Sequence, residues 1–569
     1  MDGRPRVPVD LDVAVVGAGF AGLYMLHRLR GLGLRARVFE RGPDVGGTWF
    51  WNTYPGARCD IESVDYCYSF SPDLLAEWRW TERYATQPEI LSYLRHVARR
   101  FGLRRDIEFG TRVTALRYDE PGNRWLVSTA GGDEIYARHC VLAVGNLSSV
   151  NPPAFPDLER FGGEWHHTAQ WPGGGADLTG KRVGIVGTGS TAIQALPQIA
   201  RQAERVYVFQ RTPNYSMPAQ NRPLPPGELD EVIRGYCERR RAAEESDPGI
   251  PVAPPQRSAL QVTAQGRRRM YEQGWRRGGI NALSYAFTDY FTDERANFTA
   301  QEFAREKIRG IVRDPAVAQM LCPTHHIGTK RTCVDIGYFE TYNLPHVELI
   351  DVRSSPISGV TPGGLATASG EYGLDVIVFA VGFDAITGAL LDIDIRGRGG
   401  QTLAARWAGG PRTLLGLCAS GFPNLFMITG PGSPGVLSNM VVSIEQHVDW
   451  ISDCLAYLEA RGLDRIEASA KAESDWVRHV NELADATLYP QAPTSWYVGA
   501  NIPGKPRVFM PYIGGCGRYR REAGEIAERG YTGFALGTAS ADATALARVC
   551  SGGNLPPTGR SSAAAGPGR

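Results

Sequence analysis

Two short apolar runs of β-branched residues, Val13 to Val16 and Val183 to Val186, each give way at once to glycines and then to a helical spacing of apolar positions. That succession reads as strand, tight turn, helix. Further runs end at Glu40, Gly145, Arg211, Val352 and Ala380, and several of them are apolar at almost every position. Strand runs of which two open a helix through glycines predict an α/β fold. Between residues 221 and 325 the text changes to charged, helix-forming segments such as Glu231-Val-Ile-Arg-Gly-Tyr-Cys-Glu-Arg-Arg-Arg241 and Gln301-Glu-Phe-Ala-Arg-Glu-Lys-Ile-Arg309.

The glycines turn this pattern into chemistry. Gly17-Ala-Gly-Phe-Ala-Gly22 and Gly187-Thr-Gly-Ser-Thr-Ala192 both fit the dinucleotide fingerprint. Its first glycine makes the turn, its second lets backbone approach a pyrophosphate, and its third position packs helix on strand. The helix amino terminus adds N–H donors and partial positive charge. The expected fold class is therefore α/β with two Rossmann-like dinucleotide-binding domains and a helical insertion in the second. The residues after each second strand separate the two sites. Glu40 closes Arg37-Val-Phe-Glu40 and suits the free 2′-hydroxyl of FAD or NAD, whereas Arg211 closes Val206-Tyr-Val-Phe-Gln-Arg211 and suits a 2′-phosphate. Site one reads as FAD and site two as NADPH, against the plainer readings of a solvated acid and a solvated cation.

The predicted organisation follows. Residues 8–148 form the first part of the FAD domain and 149–177 an interdomain linker. The NADP domain occupies 178–220 and 326–385 around the helical insertion 221–325. Residues 386–549 complete the FAD domain, and 550–569, which lack periodicity, form a disordered tail. A formal charge of +1 gives no electrostatic argument for nucleic acid or an anionic membrane. The ten cysteines include no CxxC pair, which suits a reducing cytoplasm and argues against a disulfide framework or structural metal. The apolar stretch from Val13 to Leu26 is too short and too glycine-rich to span a bilayer, so no stable membrane anchoring is expected.

Two further segments carry candidate chemistry. Gly46-Gly-Thr-Trp-Phe-Trp-Asn-Thr-Tyr-Pro-Gly-Ala-Arg-Cys-Asp60 sets Asp60 among aromatic residues, where a carboxylate demands a partner. In Gly328-Thr-Lys-Arg331, Lys330 and Arg331 are adjacent cations, and in extended chain they point to opposite sides. One can serve a 2′-phosphate while the other enters the cleft, although a basic pair is also what a solvated loop carries.

Phe161, Gly163, His167, Trp171 and Pro172 match the fingerprint FxGxxxHxxxWP, and Gly47, Trp49, Tyr54-Pro-Gly56 and Asp60 match a second signature. In these motifs the chain resembles the type I Baeyer–Villiger monooxygenases, especially the phenylacetone and steroid monooxygenase branch. The resemblance covers about residues 8 to 530 and extends to Gln210-Arg-Thr-Pro213, Gly382-Phe-Asp384, Gly430-Pro-Gly-Ser-Pro434 and Ser495-Trp-Tyr497. It implies NADPH- and O2-dependent conversion of a ketone to an ester or lactone through a C4a-peroxyflavin. Arg331, oriented by Asp60, would be the catalytic cation. Gly17, Gly19, Gly22, Glu40, Thr48, Trp49, Phe50, Trp51, Arg58, Cys59, Asp60, Tyr66, Val113 and Met440 would contact cofactor. So would Thr188, Gly189, Ser190, Thr191, Ala192, Ile193, Gln194, Arg211, Thr212, Lys330, Arg331 and Trp496, the last on a loop that closes against water. Pro434-Gly-Val-Leu437 resembles the branch's substrate-pocket bulge, and His167 is expected to tie the linker to a domain without proton transfer.

Three other readings differ in one requirement each. A flavin N- or S-oxygenase shares both nucleotide sites but does not need Arg331. A pyridine-nucleotide disulfide reductase needs a redox cysteine pair, and Cys59 with Cys67 has the wrong spacing. A non-catalytic flavoprotein would use the cleft only for protein interaction. The native ketone and the oligomeric state, a monomer included, are left open.

Overall fold

The computed structural model describes residues 11–492 and 494–538. The start of the predicted first domain, the end of its second part and the predicted tail lie outside the described residues. Strand Leu11–Val16 lies between Ala36–Phe39 and Glu134–Leu142, parallel to both, and is buried on both faces because Val13 and Val15 enter one core while Ala14 and Val16 enter another. The same eight-stranded sheet gains Asp394–Arg396 and Leu425–Met427 from late in the chain. Helix Met440–Ala460 packs its Val441, Val448 and Ile451 into the core that also holds Leu23 and Leu26 of helix Phe20–Gly31.

The second sheet is parallel throughout, in the order Val347–Asp351, Arg205–Gln210, Arg182–Val186, Val376–Phe379, Glu164–His167. Its last strand lies inside the segment expected to be linker. Phe161 is buried beside Leu365 and Phe379, and Trp171 is buried in the core beneath helix Ser190–Ile199. A Cβ at Gly163 would sit 2.4 Å from the Asp375 carbonyl oxygen, so this strand can dock only with glycine there. Three residues of the fingerprint thus build the sheet edge on which His167 pairs with Phe379. An antiparallel meander, Ile357–Thr361, Gly364–Thr367 and Gly370–Gly373, also lies within the second unit.

The helical insertion divides among three cores, and Ile308, Ala318 and Leu321 enter the one beneath helix Ser190–Ile199. Helices Ala264–Arg277 and Glu294–Ile311 pack around Tyr215, Met217 and Phe287. Helices Pro226–Arg234 and Tyr236–Glu245 instead send Leu229 and Tyr236 into the core of the first domain. Arg239 holds Asp65 through two hydrogen bonds of 2.7 and 2.6 Å, and the neighbouring Arg240 pairs with buried Glu445. The insertion therefore braces the first domain, although it is threaded through the second.

Candidate active site

Both glycine turns are as crowded as the fingerprint requires. Gly17 has φ +102°, and a Cβ there would meet the Ala143 carbonyl oxygen at 2.6 Å; Gly187 has φ +113° and would meet that of Ala380 at 2.5 Å. A Cβ at Gly22 would lie 1.8 Å from the Gly17 carbonyl oxygen, so here the third glycine sets how closely helix approaches strand. Gly19 and Gly189 are the N-caps of helices that begin at Phe20 and Ser190. Neither helix has a side-chain cap bond or an acid in its first turn, which leaves the amide donors to an anion.

The first turn and the start of the helix that follows the second turn face a cavity of about 360 Å³ between the two sheets' domains, whose lining does not include Gly187, Thr188 or Gly189. Gly17, Gly19, Glu40, Thr48, Trp49, Trp51, Arg58, Cys59, Asp60, Tyr66, Val113 and Met440 line it from the first domain, Ser190, Thr191, Gln194 and Arg331 from the second, and Trp496 from a later loop. Phe50 is not on this wall; its ring lies edge-on to Trp51 at 5.0 Å. Ala192 and Ile193 face the second core, so what they can offer a nucleotide is backbone N–H. Thr188 is buried and donates to the Thr212 carbonyl at 2.7 Å, joining the ends of two strands behind the cavity.

Glu40 is buried, and its two oxygens accept from the N–H groups of Ala18 and Gly42, both at 2.7 Å. The turn and the acid are thereby one unit. Of the adjacent cations Lys330 and Arg331, which follow a turn and not an extended strand, only Arg331 lines the cavity. Arg331 reaches Asp60 through Nε and Nη2, at 2.7 and 2.8 Å, and donates from Nη1 to the Val436 carbonyl at 2.6 Å. Burial opposes the guanidinium charge, but Asp60 and the Tyr497 hydroxyl outweigh it and keep the group above its ordinary pKa. Lys330 does not line the cavity and feels the charge of Arg211. Burial and the Arg211 charge bring its ammonium down to about 8, and the nearby Cys333 thiol only partly opposes them.

The two domains meet directly beside this pair. The Tyr54 hydroxyl donates to Gln194 Oε1 at 2.8 Å, and Gln194 Nε2 donates to the Arg58 carbonyl at 3.1 Å. His167 is buried, its Nδ1 accepts from the Ala169 N–H at 3.0 Å, and burial pushes its ring below the ordinary histidine range. Tyr497 belongs to the Ser495-Trp-Tyr497 segment that carries the resemblance, but no role follows for it from sequence; its buried hydroxyl interacts with Arg331. Cys59 and Cys67 are free and buried, and burial raises both thiols, Cys67 to about 12. Neither has the low pKa of a redox thiol.

Fold and site together define a protein with two dinucleotide cradles opening on one cavity. The flavin-binding monooxygenase-like family model matches residues 11–222. An acetone monooxygenase (methyl acetate-forming) of Gordonia sp. (strain TY-5) is 41% identical over 92% of this chain and 99% of that protein. A Baeyer–Villiger monooxygenase of Pseudooceanicola batsensis is also 41% identical, over 92% of this chain and 96% of its own. A solved structure of oxidized steroid monooxygenase bound to NADP is 55% identical, with a TM-score of 0.89, covering 93% of this chain and 100% of that one. The chain belongs to the Baeyer–Villiger monooxygenase family.

Proposed function

We propose that this protein is an FAD-containing, NADPH- and O2-dependent monooxygenase that converts ketones to esters or lactones. The observation that carries this reading is the Arg331–Asp60 pair, a fixed cation set in the wall of a cavity that also presents Gly17 to Gly22 and Glu40. The uncapped turns, the crowded glycines and the carboxylate of Glu40 suit FAD in the first cradle. Ser190 and Thr191, with Arg211 and Lys330, suit NADPH in the second. When bound, the flavin supplies electron uptake from NADPH and activation of O2 for insertion beside the carbonyl.

The chain's own contribution is charge and order. Arg331 keeps its proton throughout and offers a permanent positive charge where negative charge develops on oxygen during carbonyl addition. One such preorganised donor lowers the barrier by on the order of 3 kcal/mol. Asp60 fixes the guanidinium plane, and the Val436 carbonyl holds its third edge. Lys330 and Arg211 select the 2′-phosphate, while Trp496 and Tyr497 exclude water from the Arg331 side. Among the described residues, no helix is long and apolar enough to cross a membrane.

The test is NADPH oxidation by the purified protein over cyclic, aryl and steroidal ketones, with mass analysis of products. The reading predicts addition of one oxygen as an ester or lactone, without a new hydroxyl. An amine and a sulfide are run beside the ketones, and oxygen found only on nitrogen or sulfur would replace it with the N- or S-oxygenase reading.

A further inference from the structure

The chain crosses between the two domains twice, near residues 146–151 and 382–386, and the crossings are paired. Asn151 N–H donates to the Gly382 carbonyl at 3.1 Å, Asp384 N–H to that of Ser149 at 3.0 Å, and Ile386 N–H to that of Asn146 at 2.8 Å. Whatever is fastened to this ribbon is fastened to the junction itself. The segment 495–510 is fastened there by two side chains. Asn501 Nδ2 donates to the Phe383 carbonyl at 2.9 Å, and Phe383 lines the cavity. Lys505 Nζ pairs with Asp384 Oδ1 and donates to the Ala385 carbonyl at 2.9 Å. The lysine side chain is 11% exposed and that of Asp384 31%, so this is a largely desolvated contact between a loop and a hinge.

The same segment carries two aromatic side chains of the site. It folds back on itself at Gly499, where φ is +70° and a Cβ would meet the Pro506 carbonyl oxygen at 2.8 Å. Met510 N–H then donates to the Tyr497 carbonyl at 2.9 Å. Displacing Lys505 therefore displaces the strip that presents Trp496 to the cavity and Tyr497 to Arg331. We infer that Lys505 is a positioning residue: by gripping Asp384 and the Ala385 carbonyl it ties the Trp496–Tyr497 strip to the interdomain crossing. The reacting groups on both sides of the cavity then share one anchor. The catalytic consequence rests on the monooxygenase reading, but the anchoring does not.

The experiment uses the full-length FAD-loaded protein and chymotrypsin, with cleavage after Trp496 and Tyr497 followed by mass spectrometry. Lys505→Ala is expected to be cut there roughly tenfold faster than the parent, because local opening loses a desolvated charge contact. Asp384→Asn should be cut faster as well, Lys505→Arg should stay near the parent rate, and the exchanged pair Lys505→Asp with Asp384→Lys should regain protection. In turnover with a ketone, Lys505→Ala should divert severalfold more NADPH to hydrogen peroxide. Unchanged cleavage of Lys505→Ala overturns the inference, whatever the protein does with ketones. Accelerated cleavage that Asp384→Asn fails to reproduce overturns the role given to the pair.

Discussion

The Lys330 ammonium lies within the field of the Arg211 guanidinium, and burial together with that charge brings it down to about 8. A 2′-phosphate placed between them reverses the balance. The lysine is charged below pH 8 and neutral above it, so phosphate binding raises its pKa and takes up a proton between about pH 7 and 9. NADP+ affinity should fall as pH rises through 8, by up to about tenfold per unit. Isothermal titration in buffers of different ionisation enthalpy measures both effects. Lys330→Ala should abolish the pH dependence, and NAD+ should not show it.

Gly56 carries the first domain against the second. Its φ is +80°, and a Cβ there would lie 2.4 Å from the Gln194 carbonyl oxygen and 3.0 Å from Gln198 Cγ. Gly56→Ala should force the domains apart at this point and destabilise the protein by about 1–3 kcal/mol. The melting temperature should drop, and KM for NADPH should rise more than FAD is lost. An unshifted melt would show that the interface yields freely.

Arg240 and Glu445 test the finding that the insertion braces the first domain. Both side chains are under a tenth exposed, and Glu445 also accepts from the Ser69 N–H and hydroxyl at 2.7 and 2.6 Å. Burial raises the Glu445 carboxyl in spite of these partners, which makes the arginine hard to spare. Arg240→Ala should reduce stability by about 3–5 kcal/mol in denaturant titration. Arg240→Met with Glu445→Leu should recover most of that loss, since no charge is left without a partner. Equal destabilisation by the double change would argue that the pair is structural in a way burial does not explain.

What could be read from the chain divides along physical lines. The crowded turns at Gly17 and Gly187 and the bond from the first turn to Glu40 were legible because a strand–turn–helix unit imposes its backbone geometry within a few residues. Asp60 and Arg331 stand 271 residues apart, and their union came from resemblance to a family; local pattern offered only a carboxylate and a cation in want of partners. The strand Glu164–His167 was hidden because Glu-Trp-His-His has no apolar alternation, its register being set by Phe161, Gly163 and Trp171 outside it. Helix periodicity announced the insertion but not its destination. An apolar stripe does not say which core will cover it, and Leu229 and Tyr236 went to the first domain. Tyr497 and Lys505 act through tertiary neighbours alone.

The central claim is that Arg331 supplies the charge that oxygen insertion needs, while the flavin is held elsewhere by Gly17 to Gly22 and Glu40. Arg331→Ala, purified with FAD, should remain yellow and still oxidise NADPH, more slowly if the guanidinium also orients the nicotinamide. Asp60→Ala should show a milder form of the same defect. The decisive measurement is ester or lactone formed per NADPH consumed, with the parent and Arg331→Ala compared on the same ketone. The account predicts a fall of about a hundredfold or more for Arg331→Ala, with the consumed NADPH appearing as hydrogen peroxide. Undiminished product from Arg331→Ala would contradict it.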